Sequence, residues 1–247
     1  MNRLDDRAVV EDTLSAGNAL DAVAMHSRNV TGFDAQYRTS IDFKQRFEIW
    51  ESLIKDYSKA SGRVIDVGCG TGVFSFLAAK YNQSVFGIDG SAEMVECCRK
   101  KQSEYGQLDT SFAQCRIKDI PRLVNHRADL VLCSSVLEYV GELDEAVRVL
   151  GSLLHPEGTL IVSMPNRKSL YRGFERVTFR LIGRPKYFAY VKHLLAIEEL
   201  DSIASRYHLQ KVRFGYYGNL HPFLSRLLRS ANSPRANSLF VAVYQRT

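Results

Sequence analysis

Short apolar runs alternate with stretches of helical periodicity through the middle of the chain. These runs read RVIDVG from residue 63, SVFGID from 84, TSFAQC from 110, ADLVLC from 128 and GTLIVSMP from 158. Parallel strands require helical crossovers, so this alternation is typical of βαβ units. It predicts a doubly wound α/β sheet.

The two ends of the chain depart from this rhythm. The opening stretch, which includes FDAQYRTSIDFKQRFEIWESLIKDY, has helical periodicity and predicts an N-terminal helical cap over residues 1–60. Residues 61–247 then form the main domain. A basic, aromatic insert of about 166–192 follows Pro165, and it precedes the helical AIEELDSIASRYH and the strand-like LQKVRFGYY and SLFVAVYQ.

Composition adds few constraints. The 247 residues, 45% of them hydrophobic, suffice for one large domain, and 33 Lys and Arg against 27 Asp and Glu make the chain only mildly basic. The five cysteines form no C-x-x-C pair or His/Cys cluster, so we expect no metal site. The opening MNRLDDRAVV lacks the apolar core of a signal peptide, and no apolar run reaches the ~18 residues of a membrane span. We therefore expect a cytoplasmic protein.

A glycine-rich turn follows the first predicted strand. Gly68, Gly70 and Gly72 stand where a sharp turn lets backbone N–H groups approach a ligand, and the helix that follows favours negative charge. The dinucleotide pattern G-x-G-x-x-G is broken at Val73, which disfavours NAD. Asp89 ends the second strand, 19 residues after Gly70, where a carboxylate can accept both hydroxyls of a ribose.

These motifs resemble the class I S-adenosylmethionine (SAM)-dependent methyltransferases. The segments VIDVGCGTG, GIDGSAEMV, ADLVLCSSVLEYV and LLHPEGTLIVSMPNR occur in that family's order and spacing, and the resemblance spans about Phe43 to Gly215. It implies a Rossmann-like, mostly parallel seven-stranded sheet with N-terminal helices and a helical cap inserted after strand five. Within the class, SMPNRKS and YVKHLLAIEEL resemble the ubiquinone-biosynthesis O-methyltransferases. The chain departs from these at Tyr139 and Ala189, where they have histidine.

The resemblance also implies which residues bind SAM and its product S-adenosylhomocysteine. The glycine turn would line the methionine part, one acid would order the turn and another would hold the ribose, and a methionine and two backbone positions would flank the adenine. An arginine would bind the carboxylate, and two carbonyls at the end of strand four would accept from the amino group. The residues are Arg46, Asp66, Gly68, Cys69, Gly70, Gly72, Asp89, Gly90, Met94, Arg116, Ile117, Cys133 and Ser134.

Methyl transfer needs collinear acceptor, carbon and sulfur more than it needs reactive side chains. A hydroxyl acceptor still benefits from a general base near the ends of strands four and five or in the caps. Glu138, Tyr139 and His193 are candidates by position. The alternative is structural, because Glu138 and Tyr139 would begin the helix after strand four and His193 would be a satisfied cap residue.

The insert carries a regular series of arginines. Arg172, Arg176, Arg180 and Arg184 recur at i, i+4, so one continuous helix would place them on a shared face beside apolar side chains. Such a face suits an anionic membrane surface to which the protein attaches peripherally. An RNA backbone or a solvated cap over the site are the alternatives.

Three function classes follow. The first is a methyltransferase acting, most often at oxygen, on a small aromatic or lipophilic acceptor such as a quinone precursor, a glycosylated polyketide, a lipid-linked sugar or a tetrapyrrole. The second is an RNA methyltransferase, which is disfavoured because SMPN, rather than a target-base motif of the N/D-P-P-Y type, follows strand five. The third is a SAM-binding regulator that has lost its acceptor pocket.

Overall fold

The computed structural model describes residues 22–27, 32, 40–219 and 233–247. A seven-stranded sheet runs through this part of the chain in the order β3-β2-β1-β4-β5-β7-β6. The strands are β1 (Arg63–Val67), β2 (Ser84–Asp89), β3 (Thr110–Gln114), β4 (Ala128–Ser134), β5 (Leu154–Pro165), β6 (Leu209–Asn219) and β7 (Asn237–Arg246).

Pairing from β3 through β5 is parallel, and β7 pairs antiparallel with both β5 and β6. The chain therefore reverses its strand order at the border of β1 and β4. Ligands bind beyond the carboxyl ends of the strands at such a switch point. The prediction of a doubly wound, mostly parallel seven-stranded sheet is confirmed.

Helices cover both faces of the sheet. They are α1 (Ile41–Tyr57), α2 (Val73–Ala78), α3 (Ala92–Gln102), α4 (Ile120–Leu123), α5 (Leu143–Ser152), α6 (Leu170–Ile182) and α7 (Ile197–Ser205), with a further helical segment at residues 22–27. Short 3-10 turns span Ile117–Asp119 and Lys186–Tyr190. Among the described residues, no helix has both the length and the apolar character needed to cross a membrane.

Apolar periodicity explains how the helices pack. In α5, Leu143, Ala146, Val147 and Leu150 are buried at i, i+3, i+4 and i+7, and they join the core on one face of the sheet. On the other face, α1 buries Trp50, Leu53 and Ile54.

The Trp50 ring stacks on Phe74 of α2, with the two ring centroids 4.8 Å apart. Helix α1 lies within the predicted N-terminal cap of residues 1–60, of which the structure describes residues 22–27, 32 and 40–60. This part of the predicted cap is thus joined to the core of the sheet.

The insert after β5 forms a helical cap, as predicted, but the prediction that four arginines share one face of it is wrong. Helix α6 ends at Ile182 because Gly183 adopts a left-handed conformation (φ 66°), so Arg184 lies beyond the helix. Arg172 is turned inward. Its guanidinium donates hydrogen bonds to the Glu175 carboxylate, the Tyr187 hydroxyl and the Ser238 carbonyl.

Candidate functional site

The glycine turn after β1 has the conformation that its sequence requires. Gly68, Gly70 and Gly72 all have positive φ, at 74°, 54° and 81°. A Cβ on Gly68 would lie 2.2 Å from Cγ2 of Val136, so another part of the chain packs directly against the turn. A Cβ on Gly70 would meet no atom within 4 Å, because Gly70 faces an open cavity.

Two aspartates hold this turn in place. The Gly70 amide donates to the Asp89 carboxylate at 2.9 Å, and the amide of Ser91 donates to its other oxygen at 2.8 Å. At the end of β1, Asp66 accepts a 2.6 Å hydrogen bond from the Ser75 hydroxyl. The turn is therefore tied both to β2 and to α2.

Burial changes the acidity of both carboxyls. It raises the pKa of Asp66 to about 7, although the hydrogen bond from Ser75 opposes the shift and the charge of Asp89 adds to it. Burial also raises the pKa of Asp89, while the amides of Ser91, Gly70 and Gly90 stabilise its ionised form. Two buried acids with raised pKa values beside a cavity are typical of a ligand site.

The cavity itself has a volume of about 900 Å³ and lies beyond the carboxyl ends of the parallel strands. This volume is within the range of sites for small molecules and cofactors. The residues predicted to bind SAM that line it are Arg46, Asp66, Gly68, Cys69, Gly70, Asp89, Gly90, Met94, Arg116, Ile117 and Ser134.

Two residues of the predicted set, Gly72 and Cys133, are not part of the cavity wall. A Cβ on Gly72 would lie 2.8 Å from the Phe76 ring and 3.0 Å from the Cys98 sulfur, so this glycine serves the packing of the turn. Cys133 is fully buried within β4, where it pairs with Val162. The wall at the end of β4 is formed by Ser134, Ser135 and Val136 instead.

Arg46 reaches the cavity from α1. Its guanidinium donates to the Ser134 carbonyl at 3.1 Å and to the Ser134 hydroxyl, and it lies 5.9 Å from the centroid of the Phe74 ring. The contact joins α1 to the end of β4. It leaves a positive charge in the wall of the cavity.

The three residues predicted as catalytic candidates occupy different environments. Tyr139 lines the cavity, and burial raises the pKa of its hydroxyl. Glu138 is buried outside the wall. His193 lies behind the wall, where its Nε2 donates to the Val140 carbonyl at 3.0 Å. The expectation that Glu138 and Tyr139 begin a helix is wrong, because they lie in a turn and α5 begins only at Leu143.

His26 was not predicted from the sequence, yet it lines the same cavity. Its ring and that of Tyr139 form a T-shaped pair, with the two ring centroids 5.1 Å apart and the planes at 73°. Burial lowers the pKa of His26, so the imidazole is neutral at neutral pH and able to accept a proton. The only sign of His26 in the sequence is a histidine close to Ala22 and Val23 in a helical segment. Nothing in the local sequence indicates where that segment packs.

The side chains that line the cavity can hold an organic ligand. In the described part of the chain, no group of three or more His, Cys, Asp and Glu residues is arranged to hold a metal ion. The open space at Gly70, the acid at Asp89 and the guanidinium of Arg46 fit an elongated ligand with a ribose at one end and a carboxylate at the other.

Comparison with known proteins identifies a family and several relatives. A family model described as a methyltransferase domain matches residues 58–203. The ubiquinone biosynthesis O-methyltransferase of Coxiella burnetii is 30% identical over 125 residues, which cover 51% of this chain and 50% of that protein. The enzyme of the same name from Actinobacillus pleuropneumoniae serotype 5b is 33% identical over 117 residues, 44% of this chain and 50% of that protein. The chain thus spans half the length of these curated relatives.

Solved structures share the fold. The N-methyltransferase NodS from Bradyrhizobium japonicum, in complex with S-adenosylhomocysteine, has a TM-score of 0.66 at 16% identity, covering 91% of this chain and 98% of that chain. Magnesium protoporphyrin IX methyltransferase from Synechocystis PCC 6803, also with S-adenosylhomocysteine, has a TM-score of 0.64 at 19% identity, covering 92% and 100%. Together with the family match and the glycine turn, these likenesses show that the chain belongs to the methyltransferase domain family.

Proposed function

We propose that this protein transfers a methyl group from SAM to an oxygen of a small aromatic or lipophilic acceptor. One observation carries the proposal: the turn at Gly70 and the His26–Tyr139 pair line the same cavity. A site for a methyl donor and a group able to accept a proton thus face a common space.

The donor half of the site follows from the contacts of the turn. The carboxylate of Asp89 is fixed by backbone amides and would accept the ribose hydroxyls, while Arg46 would bind the carboxylate of the methionine part. When bound, SAM supplies an electrophilic methyl carbon attached to a sulfonium. The chain's own contribution is to align the two reactants and to exclude water.

The acceptor half favours a hydroxyl. A hydroxyl acceptor would have to give up its proton on methylation. A neutral His26 imidazole can take it, because burial lowers the pKa of His26 and keeps a ring nitrogen free to accept a proton. Tyr139 lines the cavity beside it, and its ring suits contact with an aromatic acceptor.

The relatives support an oxygen acceptor. Two of the curated proteins that the chain resembles are named O-methyltransferases of ubiquinone biosynthesis. That likeness extends over half of their length. His26 lies before residues 58–203, the part of the chain that the methyltransferase domain model matches.

Product formation tests the proposed reaction. The full chain is incubated with SAM and a panel of catechols and phenols with and without a prenyl tail, alongside anilines of the same shape, and S-adenosylhomocysteine is quantified. We expect product with hydroxyl acceptors and none with the anilines. Turnover on RNA instead would establish the RNA methyltransferase alternative. Binding of SAM without turnover on any acceptor would establish the regulator.

We further propose that the outer face of α6 attaches the protein to an anionic membrane surface. Phe174, Val177 and Leu181 recur at i, i+3 and i+7 with exposed fractions of 66%, 55% and 78%. The exposed side chains of Arg176 and Arg180 stand on the same helix. An exposed apolar strip with basic neighbours is typical of an interfacial helix. Arg172 is turned inward and is not part of this surface.

A further inference from the structure

Ser135 has an uncommon backbone conformation in the wall of the cavity. It follows the last residue of β4, lines the cavity and has a φ of 57°. A left-handed conformation is rare for residues other than glycine and costs free energy, so it persists only where the surrounding structure imposes it. Such residues cluster at functional sites. The conformation of Ser135 is therefore a reason to look for a role in the cavity.

The neighbours of Ser135 explain what imposes this conformation. Its amide donates a hydrogen bond of 3.1 Å to the Ser163 carbonyl of β5. Directly before it, Ser134 ends β4, and directly after it, Val136 packs against Gly68 of the glycine turn. The chain thus has to turn sharply at Ser135 to pass from the sheet to the glycine turn.

Two more of the described residues other than glycine have a positive φ. Glu157 (φ 63°) is exposed near the amino end of β5, and His208 (φ 58°) is exposed directly before β6. The cavity lies beyond the carboxyl ends of the parallel strands, and neither residue lines it. Of these three residues, Ser135 alone combines a strained backbone with a place in the cavity wall.

The hydroxyl of Ser135 has no hydrogen-bond partner within the described part of the chain. Its Oγ is nevertheless buried. A buried polar atom without a hydrogen bond costs free energy and calls for an explanation. Rotation about the Cα–Cβ bond is enough to reorient a serine hydroxyl, and the open space that Ser135 borders is the cavity. A ligand in the cavity can therefore supply the missing partner.

Ser135 lies between the two halves of the proposed site. Before it, Ser134 accepts a hydrogen bond from Arg46, which is proposed to bind the carboxylate of the donor. Further along the chain, Tyr139 pairs with His26, the proposed base. The reacting oxygen of an acceptor belongs at the junction of these halves, where Ser135 stands.

We propose that Ser135 determines specificity for oxygen over nitrogen, because its hydroxyl donates a hydrogen bond to the acceptor oxygen. This inference rests on the proposed methyl transfer from SAM. A hydroxyl oxygen has two lone pairs, so one can accept from Ser135 while the other takes part in methylation. The nitrogen of a neutral aromatic amine has a single lone pair and cannot do both. An amine therefore leaves the Ser135 hydroxyl unpaired, which is how a polar site rejects a close analogue.

Kinetics of two variants test this role. Ser135→Ala removes the hydroxyl and keeps the strained conformation, whereas Ser135→Gly removes both. With a hydroxyl acceptor from the phenol and catechol panel, we expect kcat/KM to fall about 10- to 100-fold in both variants, the scale of a hydrogen bond to a group that gains charge. The Kd of S-adenosylhomocysteine should stay unchanged, because the hydroxyl serves the acceptor.

Thermal unfolding distinguishes this role from a structural one. Ser135→Gly should have a Tm equal to or above that of the wild type, because glycine adopts a positive φ without strain. A structural residue would instead lose activity together with stability. Glu157→Gly is the matched control, since it relieves the same conformation at an exposed position outside the cavity. This control should keep full kcat/KM.

The outcomes separate this inference from the proposed function. Wild-type kcat/KM in both Ser135 variants, or a weaker Kd for S-adenosylhomocysteine in both, overturns the role of Ser135 and leaves the proposed function intact. A Tm that falls in Ser135→Gly together with kcat/KM indicates a structural role and also overturns it. A wild-type chain that methylates anilines as well as phenols, or no hydroxyl acceptor at all, overturns the proposed function and the role of Ser135 with it.

Discussion

The amide of Gly70 donates a hydrogen bond of 2.9 Å to the carboxylate of Asp89. The acid at the end of the second strand thereby fixes the glycine turn that follows the first. Since the same carboxylate is proposed to hold the ribose, ligand binding and turn geometry share one residue. A ligand that engages Asp89 also stabilises the conformation of the turn.

Replacing Asp89 tests this double role. Asp89→Ala removes both the tie to Gly70 and the proposed ribose acceptor, so we expect SAM and S-adenosylhomocysteine to bind about 1.5–3 kcal/mol more weakly, roughly 10- to 150-fold in Kd. Isothermal titration calorimetry gives the value, with Glu96→Ala as the surface control. Unchanged affinity in Asp89→Ala would remove this residue from the site.

Gly68 of the glycine turn and Gly173 of α6 should differ in how well they tolerate an added methyl group. In Gly68→Ala the new Cβ would clash with Val136 and the backbone would be strained at φ 74°, so we expect a loss of about 1–3 kcal/mol and a lower Tm. Gly173→Ala is the control, because its Cβ would meet nothing within 4 Å in the middle of α6. That variant should be neutral or up to ~1 kcal/mol more stable. Equal Tm values for the two variants would contradict the packing of Val136 on the turn.

The raised pKa of Asp66 predicts how the stability of the protein changes with pH. The pKa of Asp66 is raised from an ordinary 3.8 to about 7 in the folded chain, so the unfolded chain loses this proton first as pH rises. The contribution of Asp66 to the free energy of unfolding is therefore complete below about pH 4, and it is lost as the pH rises toward 7. Asp66→Asn cannot titrate. Between pH 5 and 8 the Tm of the wild type should fall more than that of Asp66→Asn, and parallel curves would contradict the raised pKa.

The proposed base has its own test once an acceptor is identified. His26→Gln should lower kcat about 10²- to 10⁴-fold while leaving the Kd of S-adenosylhomocysteine unchanged. His126→Gln, on the exposed loop before β4, is the matched control and should keep full activity. A wild-type kcat in His26→Gln would exclude His26 as the base, and a rise in Kd alone would indicate a binding role.

Attachment to lipid is tested with vesicles. We expect the protein to sediment with anionic but not neutral vesicles and to be released by high salt, since each basic residue near the surface contributes about 1 kcal/mol. Arg176→Gln combined with Arg180→Gln should reduce sedimentation about tenfold or more. The control is Lys100→Gln with Arg122→Gln, which removes the same charge from exposed positions elsewhere. Equal loss in both pairs would indicate a general charge effect and would contradict a site on α6.

Local patterns made much of the fold predictable. The turn at Gly68 and Gly70, the acid at Asp89 and the alternation of strands and helices are all encoded within about 30 residues, which is the scale of one βαβ unit. The inward turn of Arg172 was not predictable in this way, because its partners Tyr187 and Ser238 lie 15 and 66 residues away. A spacing of i, i+4 fixes neighbours on a helix but does not fix which side faces the core.

The position of His26 depends on contacts that no local pattern specifies. Its segment meets Tyr139, which is more than 100 residues further along the chain. Equally, Glu138 is buried in the folded chain, but the sequence pattern that predicts its position after β4 says nothing of this burial.

Trp50 is the only tryptophan of the chain, and it stacks on the Phe74 ring. The Phe74 side chain in turn lies beside the Arg46 guanidinium and lines the cavity. The protein therefore contains an intrinsic optical probe one aromatic ring away from the proposed donor site. Its fluorescence emission can follow ligand binding in stopped-flow time courses without any label, and it can do so before a methyl acceptor is known.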